Sequence, residues 1–137
     1  MSTITAWHLD GDRFAVAARD HVLTVDQPVA DGGEDTGPTP TELFVAGLVG
    51  CVAFYARRYL ARHRLPTTGL QVTGDYGIAP RPARVADVRI MIAIPDGVPE
   101  DRRDALLAVA SHCTVHNSLT TPPDVTIALA GTPVAHD

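Results

Sequence analysis

Residues 39–65 read TPTELFVAGLVGCVAFYARRYLARHRL, a run with no breaker before Pro66. Thr39 suits a helix N-cap and Pro40 the first helical position. Glu42 stands three residues after Thr39, which completes a capping box. The spacing predicts one long helix. From Leu43 to Tyr55 it is apolar on every side, so it is expected to be buried all round. Its tail carries Arg57, Arg58, Arg62, His63 and Arg64, cations suited to a helix C-terminus and to water. Ala46, Gly47, Gly50 and Ala53 are small and let another backbone come close. A chain of 137 residues has little material with which to wrap such a helix, and that points to a partner subunit.

Working outward, Thr3–His8, Arg13–Ala18 and His21–Asp26 alternate as short strands, with Asp10-Gly11-Asp12 as a turn. The stretch QPVADGGEDTGPTP that follows reads as an exposed, mobile loop. Beyond the long helix, Leu70–Ile78 and Ala86–Ile94 read as strands joined by APRPAR. Pro99 and Glu100 open a second helix, apolar at Leu106, Leu107, Val109 and Ala110, that ends near HCTVHNSL. Asp124–Ala130 reads as a final strand. The order βββ-α-ββ-α-β is α+β, and residues 1–137 are expected to form a single domain.

Apolar residues make up 45% and charged residues 20%, the balance of a folded chain and not of a disordered tail. The formal charge is −5 and all 11 basic residues are arginine. Such a chain lacks the footprint for phosphate backbones or anionic lipid, so neither nucleic acid nor membrane is expected as a partner. The run Leu43–Tyr55 is too short to span roughly 30 Å of hydrocarbon. The opening MSTITAWHLDGDRF lacks a basic and then apolar leader, so a cytoplasmic location is expected.

Cys51 and Cys113 are the only cysteines. One bridge is arithmetically possible, and in the cytosol it would more often be catalytic or transient than structural. Cys51 sits mid-helix, where a small core hydrophobe is the plain reading; a reactive thiol there needs a cation from elsewhere. Arg19, in a tight turn between two strands, is the candidate, although a solvated turn arginine beside Asp20 fits as well. Glu42 is explained fully by its cap. Nine residues separate it from Cys51, which on one helix means opposite faces and roughly 13 Å of rise. Both serve one site only if the first turn unwinds or Glu42 reaches the cysteine of a second subunit. His112 and His116 flank Cys113, a possible zinc set; helix-end histidines are the simpler reading.

GPTPTEL, then Cys51 nine residues after the glutamate, then a lone cysteine in SHCTVHNSL, together resemble the OsmC/Ohr family of osmotically inducible and organic hydroperoxide resistance proteins. The resemblance covers nearly the whole chain, from the Arg19 turn to the last expected strand. It implies an intertwined homodimer around a long buried central helix, and a cysteine-based thiol peroxidase acting on organic hydroperoxides without cofactor or metal. By match to the motif, Cys51 is peroxidatic, Cys113 resolves it as a Cys51–Cys113 disulfide, Arg19 holds the thiolate and Glu42 partners Arg19. Thr41 directly follows the proline and Glu42 comes one later, as in the OsmC-like branch. An external dithiol is the implied reductant, and Leu43, Phe44, Phe54 and Tyr55 are candidates for an apolar lining. The alternative is a non-catalytic OsmC-like carrier of small molecules, or a thiol redox sensor.

Overall fold

The computed structural model describes residues 1–131. The chain gathers into two compact units, Met1–Gly50 with Gln71–Ala93, and Cys51–Leu70 with the residues from Ile94 onward. In the first unit β1 (Ile4–Asp10), β2 (Arg13–Ala18) and β3 (His21–Val25) form an antiparallel meander in that order. Its register pairs Trp7 with Ala15 and Phe14 with Val25. β4 (Gln71–Pro80) and β5 (Ala83–Ala93) form a two-stranded antiparallel sheet. They are longer than the sequence reading expects, and only Arg81 and Pro82 lie between them. A proline is tolerated at such a strand end because no ladder donor is required there.

One helix, α1 (Pro40–Arg62), runs unbroken from the first unit into the second. Within the first unit β4 passes it at Gly74, where a Cβ would come within 2.6 Å of Val49 Cγ2. Val45 and Leu48 are buried there with Ala15 and Val25. In the second unit Val52, Ala56, Tyr59 and Leu60 are buried, as are Leu106 and Ala110 of α2 (Arg103–Ala110). Fully buried leucines such as Leu60 and Leu106 contribute about 2 kcal/mol each.

Burial of α1 on every side is expected only with a partner subunit, and this chain by itself covers part of the helix. Within this chain α1 covers one stripe, and Phe44 and Phe54 on the other side are 49% and 55% exposed. The helix also extends past Tyr55 to 23 residues, long and apolar enough by composition to cross a bilayer, as the core helix of a soluble protein also can be.

Three other local readings change. The second helix is two, α2 and α3 (Thr114–Thr120), because side chains end one and begin the other. Ser111 Oγ donates to the Leu107 carbonyl at 2.7 Å, and the His112 ring meets the Ala108 carbonyl at 2.7 Å. Residues 124–129 form no strand among the described residues, although Val125 and Ile127 alternate as a strand would and stand exposed. A strand exists only through its ladder to a neighbour, and among the described residues neither sheet includes 124–128.

The loop after β3 is pinned, not loose. The buried Asp26 carboxylate accepts hydrogen bonds from the Gln27 N–H at 2.7 Å, the Thr36 N–H at 3.0 Å and the Thr36 hydroxyl at 2.7 Å. A longer bond comes from the Glu34 N–H at 3.5 Å. Arg13 Nε donates to the same Thr36 hydroxyl oxygen at 3.0 Å, and the Asp26 N–H reaches the Pro38 carbonyl at 3.1 Å. The Thr36 N–H is the main influence that lowers the Asp26 pKa from 3.8 to about 2, against the opposing effect of burial. Because the folded value lies below the unfolded one, this stabilisation is complete above about pH 4 and lost as pH falls towards 2. Asp26→Asn is expected to flatten the acid limb of the unfolding curve in that window. An acid limb identical to wild type would contradict it.

Candidate functional site

The second unit brings the two cysteines together. Cys51 is half-buried on α1, and Cys113 is completely buried at the N-cap of α3; both are free thiols. The Cys113 sulfur accepts the His116 N–H at 3.3 Å, so a thiol fills the place usually taken by a serine or aspartate oxygen. Burial pushes the Cys113 thiol above its ordinary 9.0, the His116 N–H pulls it down in part, and the hydrogen-bonding Cys51 thiol beside it pushes it up again. Cys113 is therefore protonated at neutral pH.

One turn beyond Cys51, the Tyr55 hydroxyl lies 3.1 Å from the hydroxyl oxygen of Thr114, the residue after Cys113. The Arg58 guanidinium lies 5.8 Å from the Tyr55 ring centroid, and the Phe54 ring packs edge-on at 5.3 Å. Sequence reasoning saw Tyr55 only as lining and missed Thr114. The available signal was a hydroxyl-bearing aromatic at i+4 from a candidate nucleophile, on the same helix face.

Arg19 and Glu42 belong to the first unit. Arg19 and Asp20 form the whole connection between β2 and β3, with Ala18 paired to His21. Arg19 has φ 54°, left-handed backbone that glycine adopts freely and arginine does not. Its side chain is exposed. Glu42 makes the capping box that the sequence predicts: its carboxylate accepts the Thr39 N–H at 2.8 Å, and Thr39 Oγ1 accepts the Glu42 N–H at 3.0 Å. The first turn of α1 is not unwound, so one of the two routes by which Glu42 could join Cys51 is closed.

His116 is not a helix-end residue as expected; it lies within α3, and its ring nitrogen Nδ1 is held against the Ser111 carbonyl. His112 does sit just past the end of α2. Among the described residues no three His, Cys, Asp or Glu side chains gather as a metal site.

The family described as "OsmC-like protein" matches residues 32–128. No curated protein matches the chain. Among solved structures, a Psychrobacter arcticus protein named for osmotic stress induction and detoxification response superposes with a TM-score of 0.79 at 20% identity, covering 86% of this chain and 88% of that one. An OsmC-like protein from Mycoplasma pneumoniae gives 0.76 at 16% identity, with 89% of each chain covered. An organic hydroperoxide resistance protein from Elizabethkingia anophelis gives 0.67 at 23% identity, covering 89% and 91%. Each of these likenesses establishes the α+β fold.

Proposed function

We propose, since the chain belongs to the OsmC-like protein family, that it is a thiol-dependent peroxidase reducing organic hydroperoxides through Cys51 and Cys113. The observation that carries this reading is the meeting of the chain's two cysteines, far apart in sequence, as neighbouring free thiols. Hydroperoxide resistance in the names of several solved neighbours supports the substrate class.

In the first step the Cys51 thiolate attacks a peroxide oxygen. The S–O bond forms as the O–O bond breaks, an alcohol leaves after gaining a proton, and Cys51 carries a sulfenic acid. In the second step the Cys113 sulfur attacks the Cys51 sulfur. The S–O bond breaks, the Cys113 proton leaves with hydroxide as water, and a disulfide remains. An external dithiol restores both thiols by exchange. Burial keeps Cys113 protonated, so it waits for the sulfenic acid and does not compete for peroxide. Phe54 and Tyr55, one turn beyond Cys51, favour an organic group over hydrogen peroxide, since apolar groups gain by burial.

Arg19 takes the role of thiolate counter-ion in this reading. The match to the family motif supports it; the left-handed backbone at Arg19 costs about 1 kcal/mol and is what a two-residue hairpin demands. Arg19→Gly is therefore expected to leave the melting temperature unchanged or raised while slowing peroxide reduction. A variant that melts lower and keeps full activity would remove Arg19 from the site. Glu42 keeps its cap; any part in the thiol site would be played towards a second subunit.

The working molecule is proposed to be a homodimer. Support comes from the uncovered stripe of α1, where a Cβ added at Gly47 or Gly50 meets no atom within 4 Å. The exposed Val125 and Ile127 add to it. A cytoplasmic location is proposed with it, since thiols are kept reduced there.

Intact-mass spectrometry after one equivalent of cumene hydroperoxide tests the reading. The expected product has lost two hydrogens and yields a peptide linking Cys51 to Cys113. An unchanged mass with the peroxide unconsumed would overturn it.

A further inference from the structure

Two pairs of side chains join the same two segments of the second unit. Cys51 of α1 meets Cys113, and one turn later Tyr55 of α1 meets Thr114. The hydroxyls of the second pair take no part in the bond exchanges, although the Tyr55 ring belongs to the proposed apolar lining. The position of this pair relative to the first is nonetheless fixed: Tyr55 follows Cys51 by four residues on one helix face, and Thr114 is bonded directly to Cys113.

The start of α3 needs such a tie. α3 has seven residues, too few to hold together by its own hydrogen bonds. Its N-cap is the Cys113 sulfur, which accepts the His116 N–H. In the proposed cycle that sulfur changes partner, from thiol to disulfide and back, so the cap is disturbed at every turnover. The hydroxyl pair undergoes no chemistry. Packing by Phe54 and the Arg58 guanidinium holds the Tyr55 ring in place, so its hydroxyl offers a fixed anchor.

We propose that the Tyr55–Thr114 hydroxyl pair is a positioning device for the disulfide step, holding the first residue of α3 on α1 so that the Cys113 sulfur stays in reach of an oxidised Cys51. The inference rests on the peroxidase reading. The step it serves is the attack of the Cys113 sulfur on the Cys51 sulfenic acid, with an S–S bond formed, an S–O bond broken and water released; the oxidant is the organic hydroperoxide consumed in the step before.

The test is a quenched time course on the full chain with cumene hydroperoxide, in which dimedone traps sulfenic acid and intact mass separates the adduct from the disulfide. Thr114→Val and Tyr55→Phe are each expected to slow disulfide formation about five-fold, the effect of one hydroxyl pair. The dimedone adduct on Cys51 rises accordingly. The double variant is expected to be no slower than either single one, and Thr114→Ser to restore the wild-type rate. A purely steric role for Thr114 would leave the isosteric Thr114→Val at the wild-type rate and slow Thr114→Ser, and would overturn the proposal. So would wild-type disulfide rates in both single variants. If Cys51 of the wild-type protein takes no oxidation at all, the peroxidase reading falls and this inference with it; oxidation with unchanged partition sinks the inference alone.

Discussion

Cys51→Ser is expected to abolish hydroperoxide turnover, by about a thousand-fold or more, in an assay following dithiothreitol-dependent loss of cumene hydroperoxide. The reason is chemical more than steric. A serine hydroxyl is not ionised near neutral pH and forms no analogue of the sulfenic acid, so neither the first nor the second bond exchange has a counterpart. The substitution itself is mild, since Cys51 is half-buried and the oxygen is smaller than the sulfur it replaces. Far-UV circular dichroism should match wild type, which separates lost chemistry from lost fold. Cys113→Ser supplies the contrast: Cys51 is still oxidised, its sulfenic acid persists, and a dimedone adduct appears where wild type gives a disulfide. More than a tenth of wild-type turnover in Cys51→Ser would place the peroxide chemistry on another group.

Gly37→Ala carries the largest expected loss of stability, about 3 kcal/mol. A Cβ at Gly37 would stand 2.1 Å from the Thr24 carbonyl oxygen and 2.9 Å from its carbon. Neither atom can step aside, because Thr24 lies in β3 and is paired to Ala15 in β2. The loop must therefore lift away, and the Asp26 N–H to Pro38 carbonyl bond goes with it. A Cβ added at Gly33 would run into the Gln27 carbonyl oxygen in the same way. Urea unfolding measures the loss. A midpoint within a few tenths of a molar of wild type would mean that the loop can shift at little cost.

The α1 helix was legible because its signals are local. Thr39, Pro40 and Glu42 carry the cap by side-chain chemistry alone, and Pro66 lies beyond its end. The five strands were legible from alternation and turn residues, with ends displaced by a residue or several. The order of the loop after β3 was hidden, because the Asp26 carboxylate is held mostly by backbone N–H groups that every residue owns. Its Gly, Pro and Asp content signals a turn-rich path but not whether that path is fixed. The break between α2 and α3 was hidden for a related reason: a sulfur cap at Cys113 looks, in the sequence, like a small apolar residue. The candidate nucleophiles were plain as the chain's two cysteines. Their nearness was implied by resemblance, whereas the Tyr55–Thr114 bond depends on a tertiary contact that neither periodicity nor motif encodes.

The capping box at Thr39 and Glu42 sets an origin from which Cys51 is counted. Insertions or deletions upstream of Thr39 would lengthen or shorten the approach and leave the angular phase of the sulfur untouched. A single residue gained or lost between Thr39 and Cys51 would swing that sulfur by about 100°. Length variation among natural homologues should therefore crowd before this threonine and be barred after it.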